Sequence, residues 1–282
     1  MTKLEYTFTN DTLFKLLFVK HQDLLKKLVV ELLKIRFESI GQFEITNPEI
    51  QPENLGEKFC RLDISMRVDG ERVDLEIQVA NEGDYPERSL YYWAREYSSA
   101  LGEGRKYIEL PRTVVVSIVA FKLFDCVEFH SEFQPLEVTR HTPLTDRMSL
   151  HYFELPKLPE TVNADDGLKL WLTLFKAKTE EDLKQLEALG VPVMEQAINA
   201  YRHITATDEF KEMERMRSRA RHNEAAALHH AAEVEREKWQ GVVTEQATAL
   251  AEKDAALSKK DAALAEQAAL ISELRKQIHE GN

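Results

Sequence analysis

The sequence predicts an α/β fold, and three observations carry that prediction. Apolar residues recur at helical spacing near the N-terminus, two alternating runs flank an Asp-Gly pair, and a β-branched run follows a further helical stretch. Beyond Pro159 the strand patterns stop and short amphipathic helices take over. The predicted order is helix, strand, hairpin, helix, strand, more strands, helices and an extended tail.

The opening helix lies in "TNDTLFKLLFVKHQDLLKKLVVELLKI", where Thr9, Asn10 and Asp11 are capping types and Leu13, Leu16, Leu17, Leu24, Leu25, Leu28, Leu32 and Ile35 keep helical intervals. "GQFEITNPEIQPENLG" reads as a strand interrupted by prolines. "RLDISMRVD" and "RVDLEIQVA" alternate on either side of Asp69-Gly70, a strong hairpin signal. In "YPERSLYYWAREYSSALGEG", Pro86 suits a first helical turn and Gly102 a helix end. "RTVVVSIVAFKLF" is apolar on both faces, as a strand covered on both sides requires. "CVEFHSEFQPLEV" and "SLHYFELP" extend the strands to about residue 155. Helices then start at an Asn163 cap, at a Thr179 cap and at Pro192. The domains read from this are 1–160, a helical segment 161–205 and a tail 206–282.

Composition narrows the class. The chain has 282 residues, 43% of them hydrophobic, and no apolar run approaches the roughly 18 residues of a membrane helix. "MTKLEYTFTND" lacks the plan of a signal peptide. Cys60 and Cys126 are too few for a disulfide framework, so a reducing cytoplasm is the expected compartment. The net charge of −12 speaks against a general nucleic-acid binder. Lys211, Arg215, Arg217, Arg219 and Arg221 nevertheless gather at the root of the tail, where DNA contact and a solvated helix face are both open readings.

The hairpin raises the chemical question, because Asp63, Asp74, Glu76 and Gln78 sit among core-type residues. Glu76 and Gln78 project from one face, about 7 Å apart. Asp74 shares that face, but its place near the turn predicts exposure. A hairpin centred between Asp69 and Gly70 pairs residues whose numbers sum to 139, which sets Asp63 opposite Glu76. Two facing carboxylates repel unless a cation lies between them, and a hard divalent ion such as Mg²⁺ suits oxygen ligands. Such an ion holds a phosphate oxygen and activates a water.

"TNDTLFKLLF", "RLDISMRVDGERVDLEIQVANEGDYPERSLYYWAREYSSAL" and "VVSIVAFKLF" together resemble the recombination-promoting nuclease (Rpn)/transposase branch of the PD-(D/E)XK nuclease superfamily. The resemblance covers roughly residues 5 to 160. It implies a nuclease-like core of helix, three antiparallel strands, helix and strand. It implies Asp63 and Glu76 as metal ligands, with the Ile77 carbonyl as a third donor, and Gln78 in the position that lysine holds in the wider superfamily. The implied activity is metal-dependent cleavage of DNA linked to recombination, with Mg²⁺, or Mn²⁺ or Ca²⁺ in its place. Glutamine brings a dipole where lysine brings a charge, so Arg61, Arg88, Arg95 and Lys106 stand as candidate sources of positive charge.

On the tyrosine-rich helix, Leu90, Trp93, Tyr97 and Leu101 fall at core spacing, which leaves Arg88 and Tyr92 as candidate DNA contacts. Asp11 is either a second acid for the site or a helix cap. Leu250, Leu257, Leu264, Ile271 and Ile278 recur by sevens, and a weak coiled coil and a solvated Ala-rich helix are equally open. The leading reading is a Mg²⁺-dependent DNA endonuclease that dimerises through its tail. The rival is a nuclease-fold module that binds DNA or assembles without cutting.

Overall fold

The computed structural model describes residues 2–46, 49–50, 60–61, 64–102 and 104–280. Among these, six strands form a mixed, mostly antiparallel sheet: β1 (Phe43–Thr46), β4 (Ile64–Val68), β5 (Glu71–Gln78), β6 (Thr113–Val119), β8 (Met148–Glu154) and β7 (His130–Phe133), in that spatial order. Two short strands, β2 (Glu49–Ile50) and β3 (Cys60–Arg61), pair separately. β5, β6 and β8 run parallel at the centre, while β1, β4 and β7 are antiparallel to their neighbours.

The hairpin register follows from its turn. Asp69 and Gly70 both have positive φ, 50° and 85°, the conformation of the tight two-residue turn whose twist matches the strands it joins. The Asp69 carboxylate also accepts hydrogen bonds from the backbone N–H groups of Gly41 (2.9 Å) and Gln42 (2.7 Å), so the turn is held from β1's side as well. Val68 therefore faces Glu71, Ser65 faces Asp74 and Ile64 faces Leu75, the predicted sum of 139 throughout.

The sheet separates two apolar layers. Val73, Leu75 and Ile77 of β5 join Val114, Val116 and Ile118 of β6 in the larger core. Against it pack α1 (Asp11–Lys20), α2 (Gln22–Leu33), α4 (Gly167–Lys176), α5 (Glu180–Glu187) and α6 (Pro192–Ala206). On the opposite face α3 (Tyr85–Ser99) covers a smaller cluster of Tyr85, Val115, Val119, Leu150 and Tyr152. All seven residues of β6 are buried, as its two-sided pattern requires. Beside it, Lys157 and Glu154 form a buried ion pair at 2.6 Å, and Glu154 also accepts from the N–H groups of Leu123 and Phe124.

Local differences from the sequence pattern have identifiable causes. The opening helical stretch is two helices, because His21 leaves the helical region (φ −121°, ψ 70°) and its carbonyl accepts the N–H of Leu24. Apolar spacing continues across this break, so the pattern carries no sign of it. Asp166, not Asn163, caps α4, accepting from Lys169 N–H at 3.0 Å. Leu90 is 46% exposed, contrary to its expected core position, because the buried line of α3 runs through Tyr85 and Ser89, one residue round the helix. β7 is only four residues long, and Pro135, which has no N–H to donate, follows shortly after it. The Thr179 cap does form, with the Thr179 N–H donating in return to the Asp182 carboxylate, and Pro192 opens α6.

Residues Met1–Glu214 form one compact unit. It includes the first turns of α7 (Asp208–Glu280), where Glu214 accepts from Asn10 Nδ2 at 2.8 Å and from the Thr12 hydroxyl. The second unit, from Arg215 onward, carries the remainder of that helix, to Glu280. Val243, Leu250, Leu257, Leu264 and Ile271 along it are exposed. Among the described residues no helix is long and apolar enough to cross a membrane.

Candidate active site

Strand parity builds the site. The odd residues of β5 enter the larger core, so Arg72, Asp74, Glu76 and Gln78 share the face that α3 covers. Glu76 is 5% exposed and stands beside Ser117 of β6. Tyr85, at the start of α3, lies close enough to feel the charges of both Glu76 and Arg88. Burial first, and the Glu76 carboxylate second, hold its hydroxyl well above the usual tyrosine range. Tyr85 Oη and Ser117 Oγ are neighbours, but neither finds a hydrogen-bond partner of acceptable geometry.

The remaining predicted residues divide. Gln78 is half-buried and its Nε2 donates to the Ala80 carbonyl at 2.8 Å, which fixes the amide plane. The Arg88 guanidinium stacks 4.9 Å from the Tyr85 ring centre and pairs with Glu82 at 2.8 Å, so the structure joins it to Glu76 through Tyr85. Tyr92 is half-buried, with its ring 6.3 Å from that of Tyr91. Trp93 packs, donating Nε1–H to the Thr113 carbonyl at 2.9 Å and stacking on Tyr97. Lys106 is exposed, and Arg95 reaches Tyr91 Oη at 3.5 Å. Asn10, not Asp11, caps α1, and Asp11 pairs with Lys15 at 3.9 Å. Asp63 lies outside the described residues, and so does its predicted pairing with Glu76.

Asp74 departs from expectation. It is 1% exposed, not solvated, because α3 reaches down to the turn end of β5. Arg72 anchors that contact: its Nη1 donates to Glu96 Oε2 (2.9 Å), the Glu96 carbonyl (2.7 Å) and Ser99 Oγ (2.8 Å). Burial, then the charge of Glu96, pushes the Asp74 carboxyl up to about 8, against smaller opposing effects of Ser65 and Arg72. Asp74 Oδ2 and the Ser65 hydroxyl both lack hydrogen-bond partners. They line a cavity of about 180 Å³ with Thr46, Arg67, Arg72 and Glu96.

A second polar cluster occupies the other face, between β7 and β8. His130 Nε2 and His151 Nδ1 are 3.1 Å apart, His151 Nε2 is 2.8 Å from Ser149 Oγ, and Ser149 donates to Glu132 at 3.1 Å. Burial, chiefly, lowers His151 to about 4 and lowers His130 as well. Ser149 is fully buried, so this serine is closed to a polymeric substrate.

The donors around Glu76 suit a hard divalent ion. A buried carboxylate flanked by two buried hydroxyls without protein partners offers oxygen donors only, which fits a hydrated Mg²⁺-type ion. Glu76 is the carboxylate that the described residues bring to this point, and among them no three His, Cys, Asp or Glu side chains cluster at metal-binding spacing. Sequence reasoning passed over Ser117, and it placed Asp74 on the right face but at the surface. Ser117 is the one polar residue inside "VVVSIV", and Asp74 has the same parity as Glu76.

No curated protein and no solved structure matches the chain. A family model described as PD-(D/E)XK nuclease family transposase matches residues 8–231, past the motif-bearing strands and into α7. With an α/β sheet that buries a Glu-x-Gln strand and a match over most of its length, the chain belongs to the PD-(D/E)XK nuclease family transposases.

Proposed function

We propose that the protein is a metal-dependent DNA endonuclease acting in recombination, with Asp63 and Glu76 holding a divalent ion, most simply Mg²⁺, and Gln78 orienting the attacking water. The observation that carries this reading is the buried Glu76 carboxylate beside the unpartnered hydroxyls of Ser117 and Tyr85. Burying a carboxylate costs several kcal/mol or so, and an oxygen-loving ion is a group that offsets such a cost. Such an ion, when bound, supplies Lewis-acid activation of water and neutralises charge on the phosphate.

The chain's own residues do the rest. The Gln78 amide, tied through Nε2 to Ala80, leaves Oε1 to accept a hydrogen bond from water and aim its lone pair. It takes no proton and brings no charge, so the reaction runs slower than with lysine there. Tyr85 keeps its proton at neutral pH and so brings no second negative charge beside Glu76. Arg88, held by Glu82 at the entrance to α3, and Tyr92 are the proposed phosphate and base contacts. The nuclease-like core is proposed to be α1, the β1–β4–β5 sheet, α3 and β6, with the exposed row on α7 as the surface of self-association.

The missing charge at Gln78 favours a second reading, a nuclease-fold module that binds DNA or assembles without cutting, and within it the net charge of −12 favours assembly. Supercoiled plasmid incubated with the full chain and Mg²⁺ separates them. Nicking that EDTA, Asp63→Asn and Glu76→Gln each abolish is the expected result. Absence of nicking with both Mg²⁺ and Mn²⁺, or equal nicking by all three proteins, overturns the endonuclease reading.

A further inference from the structure

The unit beyond Arg215 carries an exposed row of large apolar residues at heptad spacing. Val243, Leu250, Leu257, Leu264 and Ile271 lie seven residues apart and are 61, 62, 62, 61 and 52% exposed. A parallel two-stranded coiled coil needs a second row three or four residues away, and those places are charged near the middle of the helix. Around Leu257 the four nearest surface neighbours are Lys253, Asp254, Lys260 and Asp261, at −4, −3, +3 and +4. All four are exposed.

Their order decides between partner orientations. Two parallel copies in register bring Lys253 level with Lys253, Asp254 with Asp254, and likewise for Lys260 and Asp261, so like charges meet along the seam. An antiparallel copy centred on Leu257 places residues level when their numbers sum to 514. Leu250 then meets Leu264 and Val243 meets Ile271, so the apolar row covers itself. Lys253 comes level with Asp261, and Asp254 with Lys260, each twice by symmetry. Ala256 and Ala263, just before Leu257 and Leu264, keep the flank of the row small. One arrangement satisfies both the apolar row and the charges. We infer that the tail docks a second copy of this chain as an antiparallel helix pair centred on Leu257.

This inference rests on the self-association proposed above and fixes its geometry. At 1.5 Å per residue, the two Arg215 ends lie roughly 60 Å to either side of the centre of the paired helices. The pairing therefore sets the two Arg215 positions at opposite ends of the paired helices and not at one end.

Disulfide trapping in the full chain tests it, with Cys60→Ser and Cys126→Ser as background. Light scattering is expected to give twice the chain mass of 32.6 kDa. Leu257→Cys is expected to cross-link with itself under mild oxidation, and Leu250→Cys only when mixed with Leu264→Cys. Efficient self-linking of Leu250→Cys indicates a parallel pair and overturns the antiparallel geometry alone. A monomer mass at every concentration overturns both this geometry and tail self-association, and leaves the nuclease reading standing.

Discussion

Asp74 and Ser65 face each other across the hairpin, both buried, with Asp74 Oδ2 and the Ser65 hydroxyl left without hydrogen-bond partners. A buried pair of this kind is a cost to the fold, and its pH dependence has a definite sign. The Asp74 carboxyl titrates near 3.8 when unfolded and at about 8 when folded, so the folded chain binds the extra proton between these values. Stability from this group is fully present below about pH 4 and is lost as pH rises through 8.

Asp74→Asn removes that loss. We expect the variant to be more stable than the parent at pH 8 to 9 by on the order of a few kcal/mol, and no more stable at pH 4. Urea unfolding midpoints at the two pH values measure it. An equal shift at both would show that the gain comes from packing and not from the proton.

The histidine cluster acts in the opposite direction. His151 is lowered to about 4 from 6.5, so its contribution is present above pH 6.5 and is lost as pH falls toward 4. His151→Gln is expected to flatten the stability profile between pH 4 and 6.5. Thermal melts across that window check it, and an unchanged slope counts against the buried neutral histidine.

Arg72→Ala is expected to destabilise the protein by about 3 kcal/mol, because it leaves Glu96 half-buried without its cation beside Asp74. Arg72→Lys is expected to recover only part of this, since one ammonium does not reproduce the fork that reaches Glu96 and Ser99. Denaturant titration of both variants gives the comparison.

Gln78→Lys tests the site's chemistry. The position is half-exposed, so a lysine is accommodated, and its charge is expected to raise the nicking rate about tenfold or more. Gln78→Ala is expected to lower it without altering the unfolding midpoint. Single-turnover plasmid assays separate these outcomes from changes in DNA binding.

Much of this was legible in the residues, for physical reasons that differ from element to element. The Asp69-Gly70 turn fixes pairing by backbone geometry alone, so the β4–β5 register could be counted. The two-sided strand β6 and the Thr179 cap declare themselves through local composition. The depth of Asp74 could not be read, because it depends on where α3, joined to β5 by a loop, comes to rest. Leu90 misled for the same reason: a helix of aromatic and charged residues offers several apolar stripes, and tertiary packing chose the one through Tyr85 and Ser89. His21 interrupts a helix with neither proline nor glycine, so no punctuation marked it.

The clamp on Asp69 has a consequence for how this protein tolerates change. With the turn pinned to Gly41 and Gln42, one added or deleted codon there would swap inside for outside along the whole of β5, sending Glu76 into hydrocarbon and Leu75 toward the site. Substitutions along the polar edge of the strand can alter chemistry one position at a time, whereas length at the turn is frozen. Descent by replacement, and not by insertion, is the route this hairpin leaves open.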